Sequence, residues 1–172
     1  MRSLLLLFFL IITCSSSLGQ IQENELKIRP LNSIYINLLG DASLISINYD
    51  RLYRLSPSFM ISSKLGLGYN ESFRISFFGI KPPWNKYTTI PHHITGNIGE
   101  NRVFFEFGFG GTAIFGKTTQ PYITYPIVGY RIMPYKSNRL NFRIFAQVPL
   151  TRKYIVDDII FSPLGSSLGI SF

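Results

Sequence analysis

Few residues in this chain have chemical reach. His92 and His93 form its only histidine pair, in Pro91-His92-His93-Ile94-Thr95-Gly96-Asn97. Nucleophilic catalysis needs a nucleophile and a base within hydrogen-bond reach. Near His93 the sequence offers Thr95, and no serine stands where one would be wanted. Adjacent residues of an extended chain point to opposite faces, so the two rings cannot chelate one metal ion. Asp157-Asp158 offers two neighbouring carboxylates, too few oxygens for a calcium site. The glycine-rich runs Gly66-Leu67-Gly68 and Gly108-Phe109-Gly110-Gly111 have no following helix to present phosphate-binding amides, so they fail the condition for a nucleotide loop. One cysteine, Cys14, rules out a disulfide framework and a thiolate metal cluster. The residues thus imply no catalytic group, no metal and no cofactor. What remains is a set of charges spaced through otherwise apolar stretches: Asp50, Lys64, Glu106, Arg131 and Arg143.

The elements that carry these charges alternate with period two, the mark of a β-strand. Eight strands are expected, over 33–39, 43–53, 58–69, 88–98, 102–115, 122–133, 139–149 and 163–172. Most are close to the roughly 9–11 tilted residues that cross a bilayer as a strand. In 102–115, Val103, Phe105, Phe107, Phe109, Ala113 and Phe115 share one face, opposite Phe104, Glu106, Gly108, Gly110 and Thr112. In 139–149, Leu140, Phe142, Ile144, Ala146 and Val148 oppose Asn141, Arg143 and Gln147. The same alternation puts Asp50, Lys64 and Arg131 on the polar face. Closing such strands into a barrel gives an apolar outside and an interior just wide enough for side chains to fill. Charges inside must pair, so a salt-bridge network is expected, centred on Glu106 with Arg131 or Arg143. Glycines facing this interior are expected to make room for the long arginines. His93 would face the lumen near one rim, with His92 on the other face.

The start of the chain agrees with an envelope location. Arg2, the apolar run Leu4 to Ile12 and the small residues before Gln20 describe a cleaved signal peptide over 1–19. A periplasmic lead over 20–32 and the barrel over 33–172 would follow. Lipidation of Cys14 is the rival processing, and Ile11-Ile12-Thr13 fits it poorly. The balance of 17 Lys and Arg against 9 Asp and Glu gives a formal charge of +8. These cations are scattered and form no phosphate-binding stripe, so no nucleic acid partner is expected. Lipid headgroups and solvated loops account for the charge.

Short connections at Leu55-Ser56-Pro57, Gly99-Glu100-Asn101 and Pro134 to Asn138 are expected on the side of the termini. Those at Gly40-Asp41-Ala42, 70–87, 116–121 and 150–162 would lie on the outer side, and short inner turns with longer outer loops suit an outer-membrane barrel. Loop 70–87 carries Phe73, Phe77, Phe78 and Trp84 among basic residues, a candidate surface for an unidentified extracellular partner. The competing reading has Phe73 to Gly79 prolong the hairpin and cap the barrel mouth, with loop 150–162 packed beside it. The closing Leu168, Ile170 and Phe172 would face lipid and form the terminal strand read by the barrel-assembly machinery.

Several segments are similar to elements of one family. Ser46-Ile47-Asn48-Tyr49-Asp50-Arg51, Phe105-Glu106-Phe107-Gly108-Phe109-Gly110, Gly129-Tyr130-Arg131 and the closing Ser162 to Phe172 run in the order seen there. The chain resembles the small uncharacterised outer-membrane β-barrel proteins of Bacteroidota. That resemblance implies fold and location and brings no biochemical activity.

The sequence thus predicts an all-β protein, an eight-stranded antiparallel up-and-down transmembrane β-barrel with a filled polar lumen. Its expected place is a Gram-negative outer membrane, with both termini periplasmic and outer-membrane lipids as partners. The expected role is structural or surface interaction through loops 70–87 and 150–162, without catalysis. Two alternatives stay open: a lipid-modifying enzyme using His93, and a soluble lipocalin-like barrel with an apolar ligand inside.

Overall fold

The computed structural model describes residues 29–71, 86–118, 120–134, 139–150, 159 and 161–172. Within them the chain forms β1 (Asn32–Leu38), β2 (Ile45–Arg54), β3 (Phe59–Asn70), β4 (Tyr87–Glu100), β5 (Val103–Gly116), β6 (Tyr122–Ile132), β7 (Leu140–Gln147) and β8 (Leu164–Ser171). Each strand pairs antiparallel with its sequence neighbours, and β1 pairs with β8, so the sheet closes into an eight-stranded barrel. The seam runs from Ser33 opposite Ser171 to Leu38 opposite Ser166. Closure leaves no unpaired sheet edge.

The alternation read from the sequence becomes inside and outside. In β2, Ile45, Ile47 and Tyr49 are exposed while Ser46, Asn48 and Asp50 are buried. The outward positions of all eight strands are dominated by large apolar and aromatic residues, whereas most buried polar side chains point into the lumen. The interior is layered along its axis. Leu52, Met60, Phe104 and Met133, with Leu31 against them, form an apolar plug at the end where Asn32 and Phe172 lie. Ala42, Tyr87, Ile114, Ile123, Tyr125, Ile127, Phe145 and Ile159 form a second apolar cluster, backed by Phe161, at the other end. The charged side chains lie between them.

Two local features depart from a regular barrel. Partner assignments between β3 and β4 lapse at Gly66 and Leu67, opposite the stretch holding Pro91. Proline has no amide hydrogen to give to a ladder. The second departure is the β1–β2 connection, expected as a plain outer turn at Gly40-Asp41-Ala42. Instead Leu39, Gly40, Asp41 and Ala42 all take positive φ, at 59°, 87°, 56° and 55°. The left-handed region costs a non-glycine residue roughly 1–2 kcal/mol. The turn folds inward, and Asp41 and Ala42 have no exposed surface. Strand β2 accordingly begins at Ile45, two residues after the expected start.

Candidate functional site

The lumen is where reactive side chains converge, and it holds two linked groups. The first is built on Glu106, from the middle of β5. Arg143 on β7 donates from Nε to Oε2, and Arg131 on β6 reaches Oε1 at 3.5 Å from Nη2. Thr95 on β4 donates to the same Oε1 at 2.8 Å. Arg131 turns its Nη1 to Asp50 Oδ2 on β2, at 2.6 Å, and Ser62 on β3 donates to the other oxygen of Asp50. Glu106 therefore engages both arginines expected as its alternatives, and Asp50 shares one of them. Arg143 also lies over the Phe145 ring, 4.2 Å from its centroid.

The second group is built on Asp41, brought down by the inward turn. Lys64 Nζ lies 2.5 Å from Asp41 Oδ2, which also accepts from Asn37 Nδ2. His93 Nε2 lies 2.8 Å from Asp41 Oδ1, and Tyr125 donates to that oxygen at 3.4 Å. The Thr112 hydroxyl donates to the Asp41 carbonyl oxygen at 3.1 Å and lies 2.7 Å from the Tyr125 hydroxyl. Burial alone would push the Asp41 carboxyl up in pKa. Lys64 and His93 beside it more than reverse this and hold it well below the usual carboxylate range. These contacts also hold four consecutive left-handed residues in place, as a strained segment requires.

Buried charges cost several kcal/mol each unless paired. Among the described residues the lumen answers this by balance: Asp41, Asp50 and Glu106 stand against Lys64, Arg131 and Arg143. Each of these six side chains is at most 1% exposed.

The histidines separate as strand geometry demands. His93 is buried on Asp41, while His92 is half-buried on the outer wall with Nε2 2.6 Å from the Tyr122 hydroxyl. Thr95 serves Glu106, so His93 and Thr95 do not form a base–nucleophile pair. No group of three or more metal-ligating side chains occurs among the described residues. Phe73, Phe77, Phe78 and Trp84, and the carboxylates Asp157 and Asp158, lie outside the described residues. Of loop 150–162, Ile159 packs into the second apolar cluster. Phe161 meets Tyr125 edge-on at 5.7 Å. Leu168, Ile170 and Phe172 all point outward and are exposed.

Sequence reasoning missed Asp41, Asn37 and Tyr125 as lumen partners. It also assigned the lumen glycines wrongly. A Cβ on Gly110 would strike the His93 and Tyr125 rings, one on Gly108 would meet the β4 backbone at Ile94 and Thr95, and one on Gly129 would meet Phe145. Glycine at these places clears space for aromatic side chains and close strand approach, and not for the arginines.

Comparison with family models, with curated proteins and with solved structures returned no match.

Proposed function

We propose that this protein is an integral outer-membrane β-barrel with a structural or surface-interaction role and no catalytic activity. The observation that carries the reading is the inverted polarity of the closed barrel. Its outer wall is apolar on every strand, with Ile47 62%, Leu67 64%, Ile94 69% and Phe109 66% exposed. Its interior holds the ion pairs. A protein in water seldom exposes a contiguous apolar surface beyond a few hundred Å², and here that surface circles the molecule. A lipocalin-like carrier would need the opposite arrangement, with the apolar faces turned inward.

Membrane barrels satisfy every backbone group internally, which closure of β1 on β8 provides. A shallow hollow of about 430 Å³ on the wall, lined by Ile34, Ile47, Leu65, Leu67 and Ile90, suits an acyl chain. The neutralised lumen supports a filled barrel in preference to a conducting one. His93 is held on Asp41 and buried, which favours a structural role over lipid modification. Surface interaction is assigned to loops 70–87 and 150–162 on the strength of their aromatic content.

The test is fractionation of cells expressing the full chain, followed by gel electrophoresis with and without boiling. The expected result is protein in the outer-membrane fraction, with a faster band when unheated. A soluble product whose mobility ignores heating would refute the assignment.

A further inference from the structure

We infer that the barrel end bearing Asn32 and Phe172 carries an arginine collar that binds the phosphates of anionic phospholipid headgroups. This rests on the membrane reading above. On the outward positions of the eight strands, Arg51 and Glu100 are the only charged side chains, and both lie toward that end. Arg51 stands on the wall itself, exposed between the outward Tyr49 and Tyr53. Its guanidinium carbon is 5.7 Å from the Tyr53 ring centroid, and the Tyr49 hydroxyl donates to Asn32 Oδ1 at 2.8 Å. An arginine on a lipid-facing wall is costly at the bilayer midplane and nearly free at the interface. Tyrosines favour the same level. Arg51 thereby marks the headgroup region.

The cations continue around the rim on separate connections. The Arg102 carbonyl in the β4–β5 turn accepts from Met133 N, and the Arg139 carbonyl before β7 accepts from Ser171 N, which ties both residues to the rim. Both are exposed. Arg54, half-buried, ends β2, and Arg29 donates to the Asn101 carbonyl with its guanidinium over the buried Phe104 ring, so these two cover the mouth and stand apart from the collar. Among the described surface residues at this end, Glu100 is the single acid, Asp50 being buried in the lumen. Every described surface cation of the collar is arginine. A guanidinium presents a planar fork that matches phosphate oxygens, where an ammonium is a point charge. A ring of separate forks around a cylinder suits a ring of headgroups and not a linear polyanion.

The protein is folded into vesicles of equimolar phosphatidylcholine and phosphatidylglycerol, extracted in mild detergent, and its retained lipid counted by native mass spectrometry. The wild type is expected to retain the anionic lipid about fivefold or more over the zwitterionic one, one basic contact being worth about that factor. The R51Q/R102Q/R139Q variant should return to parity while its unheated band still runs fast, and R51Q alone should fall part of the way. Free inorganic phosphate should not displace the lipid. Parity in the wild type, preference persisting in the triple variant, or lipid stripped by phosphate would each overturn the collar. Failure to form the fast band in any vesicle would overturn the membrane reading, and the collar with it.

Discussion

Replacing Glu106 by glutamine should be among the most damaging conservative changes this barrel can suffer. Glu106 accepts from Arg143, Arg131 and Thr95. Arg131 keeps Asp50 at 2.6 Å when Glu106 is neutralised. Arg143 has no other carboxylate within ion-pair distance among the described residues, so it becomes a buried unpaired cation. Breaking a buried pair from one side costs about 3–5 kcal/mol. Glutamine retains one oxygen to accept a hydrogen bond and the fit is nearly isosteric, so about 3 kcal/mol is expected. The assay is urea unfolding of the barrel in phospholipid vesicles, read from the fraction running as the fast, unheated band. R143M alone leaves Glu106 with Thr95 and with Arg131, the latter at 3.5 Å and shared with Asp50, and should cost somewhat less. E106Q/R143M removes both charges and keeps an apolar contact to Phe145. The double variant should therefore regain at least half of the loss. If E106Q unfolds within about 1 kcal/mol of wild type, or the double variant is as weak as the two losses added, the ion pair is not what the lumen depends on.

Two further changes probe the inward turn. Gly40 has φ +87°, and a Cβ there would meet the Phe145 ring at 2.9 Å; G40A should lower the urea midpoint by the equivalent of about 1–2 kcal/mol. G40A/F145L should recover only the steric part, and an unchanged midpoint in G40A would sink the conformational argument. The Asp41 carboxyl titrates below its unfolded value, so its stabilisation is complete above about pH 5 and is lost as pH falls through the folded value. The stability gap between wild type and D41N should stay constant from neutral pH to about 5 and close in stronger acid; a gap that closes between pH 8 and 6 would contradict it.

The architecture was legible because a half-buried strand has only two faces, and one face was dominated by large apolar residues. Once Phe105, Phe107 and Phe109 were put on one side, Glu106 had to take the other. The turn at 40–42 was legible as a turn, since Gly40 and Asp41 both tolerate positive φ, but its inward course was not, because nothing local marks Leu39 or Ala42 for the left-handed region. Asp41 is also a common solvated turn residue, so its type gave no warning. A global signal did exist. The inward set read from alternation held Lys64, Arg131 and Arg143 against only Asp50 and Glu106, leaving one cation without a partner. A sealed interior cannot tolerate that imbalance, and the missing acid had to come from a connection, since no inward strand position had another to give. The glycines misled for a related reason: their faces were known, but which neighbour approached them depended on inter-strand register.

Register is also where the lumen network acts beyond stability. Asp50, Lys64, Glu106, Arg131 and Arg143 all stand on the inner faces of their strands, so a slip by one residue exchanges the faces completely. If β7 slipped by one residue against β6, Arg143 would move to the wall and Ile144 or Phe142 would take its place opposite Arg131. Glu106 would then lose its closest partner, and an arginine would sit in the apolar belt. Both consequences are unfavourable and they arise together, so the penalty is far larger than for two facing apolar strands. A two-residue slip keeps the faces but carries Arg143 along the barrel, away from Glu106 and toward one of the apolar plugs. The ion pairs thus discriminate against both slips, which apolar packing alone would do only for the odd one. On this argument the buried charges are retained because they select one closed arrangement of eight similar strands, and the parts left free to evolve a partner are the rims and the loops.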